Sequence, residues 1–328
     1  QDAVINEGML PIFHSNTFPN HYSIATGLYP QNTGIIDNSF YAPELDARYS
    51  MGNREAVEDG RFYNGEPIWN TVEKQGLTAG TMFWVGSEAD IQEMHPTHWK
   101  KYDGTVPDST RIDTVVKWLS TDSDFATLYF SFVDGIGHRY GPESDEVVAA
   151  IQRADSLVGY LMQELQEQGV SDTEVIILSD HGMYDVSDER MIFLDDYINP
   201  DDVEWVMGSK AVFLAEKNRP ISELYEELKD GAHFKAYLKQ DIPERYHLKN
   251  SDRVPELLLV ADLGFTITTK DYYRGSNTGA SHGFDNKEKA MWAFFAANGP
   301  SFKVNKKVGT FENIHVYELM NYLLGTKP

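Results

Sequence analysis

Two short segments set an acid close to an imidazole: Asp134 and His138 in "FVDGIGHRYGP", and Asp180 and His181 in "LSDHGM". A third, "TGASHGFDN", adds His282 in a loop rich in glycine and serine. Carboxylate oxygen and neutral imidazole nitrogen are what zinc accepts when thiolate is absent, and this chain has no cysteine. The same donors also suit manganese or iron. Two such clusters on neighbouring strand ends would hold two metals about 4 Å apart.

Thr17, in "NTFPNHYSIATG", stands where a helix begins. Its hydroxyl can cap the first turn, or serve as a nucleophile at the positive helix end where an anion docks. The segment alone leaves both readings open. A bound cation would favour the second, because it stabilises an alkoxide much as it lowers the pKa of water from 15.7 to about 7. A second cation would hold a phosphoryl oxygen. Asp-Gly and His-Gly pairs also form turns and caps, so either pair alone reads as structure. Both pairs together with His282 and Thr17, all at expected loop positions beyond strand ends, read as a site. His21 and His315 read as packing or hydrogen-bonding residues. His95, His98, His233 and His247 lie in polar stretches without ligand spacing.

The elements that must position these residues are legible as apolar runs. Ala126–Asp134, Thr173–Asp180 and Met291–Gly299 have the near-continuous hydrophobicity of strands covered on both faces, as in a parallel sheet. Between the first two, Val147, Ile151, Ala154, Leu157, Val158, Leu161 and Leu165 recur at helical spacing over 143–168, and Gly169 is a stop. Strand, helix, strand is a βαβ unit. A C-terminal amphipathic helix is predicted over 313–325. Residues 201–269 alternate short strands with a helix, as in an inserted α+β region. The predicted fold is α/β, a largely parallel sheet between helices, in one domain spanning 1–328 with that excursion.

With 328 residues, 41% hydrophobic and 12% aromatic, the chain suffices for a large core. Its net charge of -23 argues against a broad surface for nucleic acid, so a phosphate ligand must be met locally by metals or helix ends. No run approaches the ~20 apolar residues of a membrane span. Oligomeric state is not legible.

"NTFPNHYSIATGLYPQNTGI", "DGIGHRYGP", "SDHGM" and "SHGFDN" resemble, in this order, signature segments of the nucleotide pyrophosphatase/phosphodiesterases of the alkaline phosphatase superfamily. The resemblance implies an alkaline phosphatase-like fold with two zinc ions at the sheet's carboxyl edge. It implies that Thr17 is the nucleophile and forms a phosphothreonine intermediate, with Asp180 and His181 on the zinc that activates it. Asp134, His138 and His282 would hold the second zinc. Asn38 would hydrogen-bond a phosphate oxygen, Phe18 and Trp99 would flank a nucleoside base, and Trp84 would shape that pocket. The family's further aspartate, on an earlier strand, has no counterpart here, so an N-terminal strand is expected to be missing. The expected activity is zinc-dependent cleavage of nucleotide phosphodiester or pyrophosphate bonds, in a secreted or periplasmic protein. The same core also suits lysophospholipid or glycerol phosphodiesters, phosphonates or phosphate monoesters, or a binder of phosphate ligands without catalysis.

Overall fold

The computed structural model describes residues 3–328. One sheet has the order Lys306–Val308, Val4–Asn6, Phe295–Asn298, Val175–Leu178. A second, wholly parallel, has His98–Lys100, Ala79–Met82 and Phe125–Leu128.

Alternation along Val175–Leu178 shows how helices cover both faces. Val175 and Ile177 join Ile112, Val116, Leu157 and Leu165 of helices Asp108–Thr121 and Asp145–Glu167. Ile176 and Leu178 join Ile24 and Val316 of helices Thr17–Thr26 and His315–Leu324. Opposite faces of one strand therefore meet opposite helical layers, which is the α/β sandwich expected.

Two strands differ from expectation. Phe295–Asn298 runs antiparallel to both of its neighbours. Burial on both faces produces a continuous apolar run whichever way a strand points, so direction was not encoded in it. The run over 126–134 divides: the strand is Phe125–Leu128, and Phe132–Tyr140 is a helix. Asp134 thus lies in a first helical turn, with His138 one turn on, rather than at a strand end. Gly135 and Gly137 are poor helix formers and masked the helix in the sequence. The strand before the long helix and the one after it hydrogen-bond in different sheets, so the predicted βαβ unit is not a directly paired one. The long helix itself starts at the Ser144 cap, whose hydroxyl accepts from Val147 N–H, and ends before Gly169.

Residues 203–261 contain an antiparallel sheet ordered Val203–Met207, Ala211–Glu216, Leu257–Ala261, Phe234–Leu238. Val212, Leu214, Leu257 and Leu259 pack on Leu224 and Leu228 of helix Ile221–Leu228. The alternate residues Ala211, Phe213, Leu258 and Val260 join the large core with Phe13, Tyr22 and Trp69. Its hydrophobic inner face welds this sheet to the rest of the fold.

Candidate active site

Helix Thr17–Thr26 is held at its start by residues outside it. Asn16 occupies the N-cap but makes no cap bond; its Nδ2 donates to Asp37 Oδ1 at 2.7 Å. Asn38 Oδ1 instead accepts from Phe18 N–H at 2.9 Å, and Asp37 Oδ1 fixes Asn38 by accepting its N–H at 2.6 Å. Asn20, fully buried, accepts from Ile12 N–H and Asn313 Nδ2 while donating to the carbonyls of His14 and Asn16. The loop before Thr17 is thereby locked to the helix it starts. Thr17 is the first helical residue, not the cap, and its hydroxyl lies 3.2 Å from His181 Nε2.

The other residues converge on it. Asp134 and His138, four apart on one helix, stand 3.4 Å from each other. His282 Nε2 is 3.8 Å from the same Asp134 oxygen, and the His181 and His282 rings stack at 3.6 Å. Ligand atoms of Asp134, His181 and His282 all lie within 4.8 Å of one another. Asp180 Oδ2 is 3.1 Å from His181 Nε2 and 3.5 Å from His21 Nε2. The two expected ligand groups therefore abut, with His181 at their junction. His21 hydrogen-bonds as expected, and its partner is a site carboxylate. His315 departs from expectation: it is exposed at the start of the last helix.

These groups fit divalent cations. His138, His181 and His282 each donate Nδ1–H to a backbone carbonyl: Ala280 at 2.8 Å, Gly182 at 2.9 Å and Ser15 at 2.9 Å. A carbonyl only accepts, so Nδ1 carries the proton in each ring and Nε2 is the nitrogen left to face the cluster, the arrangement seen around metal-ligating histidines. Asp134 Oδ1 is buried and accepts no hydrogen bond. Glycine makes two of these anchors possible. A Cβ on Gly182 would lie 2.0 Å from the Ala290 carbonyl oxygen, and one on Gly279 (φ +87°) 2.1 Å from that of His138.

Charge is arranged to match. Burial works against Asp180 and His181, yet their mutual attraction outweighs it, holding the carboxyl well below its usual range and the imidazole above its own. Burial, then His181, pushes His282 well below its usual value and keeps it neutral. Burial raises the Asp134 carboxyl. A cation in the cluster takes the place of the proton that Asp180 and His181 otherwise share.

The predicted pocket residues divide. Phe18 follows Thr17 on the helix, its ring 6.1 Å from Tyr49. Trp84 donates Nε1–H to the His21 carbonyl at 3.1 Å and packs on the His21 ring, bracing the helix from behind. The ring contact of Trp99 is with His95, stacked at 4.6 Å, and not with Phe18. Tyr102, not singled out in the sequence, is 41% exposed and continues a chain of rings through Tyr129 to His21. Asp37, Asn16 and Asn20 were also missed, because their roles depend on partners remote in sequence.

A profile of the type I phosphodiesterase / nucleotide pyrophosphatase family matches residues 2–285. A venom phosphodiesterase of Crotalus durissus collilineatus is 38% identical over 98% of this chain and 40% of its own length. The Homo sapiens ectonucleotide pyrophosphatase/phosphodiesterase family member 1 is 39% identical over 98% of this chain and 36% of its own. The chain thus spans about 40% of the length of such relatives. Among solved structures, human ectonucleotide pyrophosphatase / phosphodiesterase 5 superposes with a TM-score of 0.95 at 30% identity, covering 99% of this chain and 88% of that one. An inactive threonine-to-alanine variant of the murine protein, in complex with AMP, gives 0.94 at 29%, with the same coverage. The alkaline phosphatase-like fold, the four ordered motifs and these relatives agree: the chain belongs to the type I phosphodiesterase / nucleotide pyrophosphatase family.

Proposed function

We propose that this chain is a two-zinc phosphodiesterase of nucleotides, cleaving phosphodiester or pyrophosphate bonds through a covalent threonine intermediate and releasing a nucleoside monophosphate. The observation that carries this reading is Thr17 Oγ1, 3.2 Å from His181 Nε2 at a helix start, beside a cluster whose imidazoles are all fixed with Nε2 inward. The murine neighbour bound to AMP, inactivated at a threonine, supports both the nucleophile type and the ligand class. The names of the venom and ectonucleotide relatives support a location outside the cytoplasm, and no described helix is long and apolar enough to cross a membrane.

Asp180, His181 and Thr17 would hold one zinc; Asp134, His138 and His282 would hold the other. When bound, the cations favour the deprotonated hydroxyl and offset the charge developing on phosphorus. Everything else belongs to the chain. The Thr17 Oγ–P bond forms as the bond from phosphorus to the departing oxygen breaks, leaving the nucleotidyl group on Thr17; water later takes that group from Oγ. Asn38, held by its Oδ1, offers Nδ2 to a non-bridging phosphate oxygen, and the first-turn N–H groups of the helix add a positive field. Phe18 would offer one face to the base and Trp99 the other, and the exposed ring of Tyr102 is a second candidate for that opposite face.

The test is Thr17→Ala. It should abolish hydrolysis of a chromogenic thymidine monophosphate ester while elemental analysis still finds about two zinc ions per chain. The wild type, quenched during turnover, should carry a nucleotidyl mass adduct on the peptide containing Thr17. Normal turnover by the variant would sink the assignment.

A further inference from the structure

Residues 101–105 form an exposed loop after the strand His98–Lys100. The loop carries Tyr102, whose hydroxyl lies 3.4 Å from Ser131 Oγ, and Ser131 immediately precedes the helix that brings Asp134 and His138. Exposed loops are ordinarily mobile, and a mobile ring loses affinity to the cost of ordering it. The loop's own bonds do little to fix its place. Asp103 Oδ1 accepts from Thr105 N–H at 2.8 Å and from its hydroxyl at 2.6 Å, which sets the shape of the turn alone. Lys101 meets Glu58 in an exposed ion pair, a weak tether.

Arg111, on helix Asp108–Thr121, supplies the anchor. It is 4% exposed, and its guanidinium donates to backbone: Nε to the Val106 carbonyl at 3.0 Å, Nη2 to that of Gly104 at 3.2 Å, Nη1 to that of Tyr129 at 3.2 Å. Gly104 and Val106 belong to the end of the loop; Tyr129 follows the strand Phe125–Leu128. The carboxylate Arg111 approaches, Asp108, stands 4.0 Å away and is bonded instead by Arg153. A planar fork of five donors can hold three carbonyls from two segments, which a lysine ammonium on its single stem cannot. Phe83 completes the clip. The guanidinium carbon lies 5.1 Å from its ring centroid, and the same ring meets Tyr102 edge-on at 5.3 Å. Phe83 has φ +66°, a left-handed backbone that a bulky residue keeps only where its surroundings impose it.

We propose that Arg111 is a positioning residue for substrate recognition, clipping the loop so that the Tyr102 ring is held as the wall of the base slot opposite Phe18. The proposal rests on the nucleotide reading above. Tyr102 lies 6.3 Å from Tyr129, whose ring meets His21 edge-on at 5.2 Å, and His21 is one turn beyond Thr17. Arg111 itself touches no substrate. Its effect falls on the nucleoside and spares the phosphorus, so it shows in the choice between substrates.

The test compares the chromogenic thymidine ester with methyl p-nitrophenyl phosphate, which has the same departing group and no base. The ratio of their kcat/KM values should fall about 5- to 140-fold in Tyr102→Ala, the range for one base-stacking contact. Arg111→Met should lower it within the same range, through KM of the thymidine ester more than through kcat. The double variant should fall no further than Tyr102→Ala alone, because the clip acts through that ring. Arg111→Lys keeps a buried cation, so it serves where Arg111→Met fails to fold, and its ratio should fall as well. An unchanged ratio in the Arg111 variants overturns the proposal. So do equal losses on both esters, which mark a structural arginine, and additive losses in the double variant. A ratio lost in Trp99→Ala and kept in Tyr102→Ala overturns it too, by placing the wall elsewhere. A wild type that turns over both esters equally well overturns the nucleoside reading, and the positioning role with it.

Discussion

On the proposed function, Asn38 performs two tasks through two atoms, and substitution can separate them. Its Oδ1 accepts from Phe18 N–H at 2.9 Å, serving as an external cap on the helix that begins with Thr17. Its Nδ2 is the donor assigned to the phosphate. Asn38→Ala removes both. Losing the cap costs about 1 kcal/mol, which for a chain of 328 residues lowers the unfolding midpoint by about 1–2 °C. Losing the donor costs about 10²–10³ in kcat, as for other preorganised donors to a developing anion. Asn38→Asp keeps an acceptor for Phe18 N–H and adds a negative charge at a helix start, so its midpoint should stay near wild type. It still lacks the donor and sets a carboxylate toward the phosphate, so its kcat should fall at least as far as that of Asn38→Ala. Differential scanning calorimetry and steady-state hydrolysis of the chromogenic ester measure the two effects independently. If Asn38→Asp recovers both midpoint and rate, the side chain is only a cap and its catalytic assignment fails.

Gly182→Ala should cost about 3 kcal/mol or more, since its Cβ would lie 2.0 Å from the Ala290 carbonyl oxygen, which is backbone and cannot yield cheaply; denaturant midpoints and zinc content should fall together, because the Gly182 carbonyl anchors His181. Arg253→Met should leave the carbonyls of Gly34 and Phe62 without donors they now meet at 2.7 and 2.6 Å. At about 1–3 kcal/mol for each buried group, the unfolding midpoint should drop by about 3–9 °C with activity per folded molecule unchanged. Asp285 accepts from Arg245, from Tyr246 Oη at 2.8 Å and from Lys287 N–H at 3.0 Å, and although burial opposes the charge these partners hold its carboxyl below the usual range. A depressed folded pKa gives stability that is present above the unfolded value of about 3.9 and disappears as pH falls through the folded value. The deficit of Asp285→Asn, measured by urea unfolding, should therefore be largest near neutrality and vanish in acid.

The chemistry-bearing residues were legible because each sits in a short glycine-marked segment whose composition announces a loop. Asp180 and His181 follow a buried strand as read, and Thr17 begins a helix as read. Asp134 was recognised but misplaced, because Phe130, Phe132 and Val133 carry the strand's hydrophobicity straight into a helix weakened by two glycines. The direction of Phe295–Asn298 had no local signature at all. Asn20 shows what sequence withholds: it looks like an ordinary polar residue in a helix, yet one of its bonds reaches Asn313. Trp99 lies on the three-residue strand His98–Lys100 with its ring stacked on His95, while Tyr102, just beyond that strand, exposes its ring, a difference of orientation that residue type does not announce.

Ser15, two positions before Thr17, joins distant parts of the chain. Its carbonyl receives His282 Nδ1–H, while its hydroxyl accepts from Gly283 N–H at 3.1 Å and donates to the Phe284 carbonyl at 3.0 Å. The start of the helix that carries Thr17 and the loop that carries His282, some 270 residues downstream, are therefore clamped to one residue. On the proposed reading, a displacement of the late loop would reach the Thr17 hydroxyl through Ser15, misaiming the attack as well as loosening an ion.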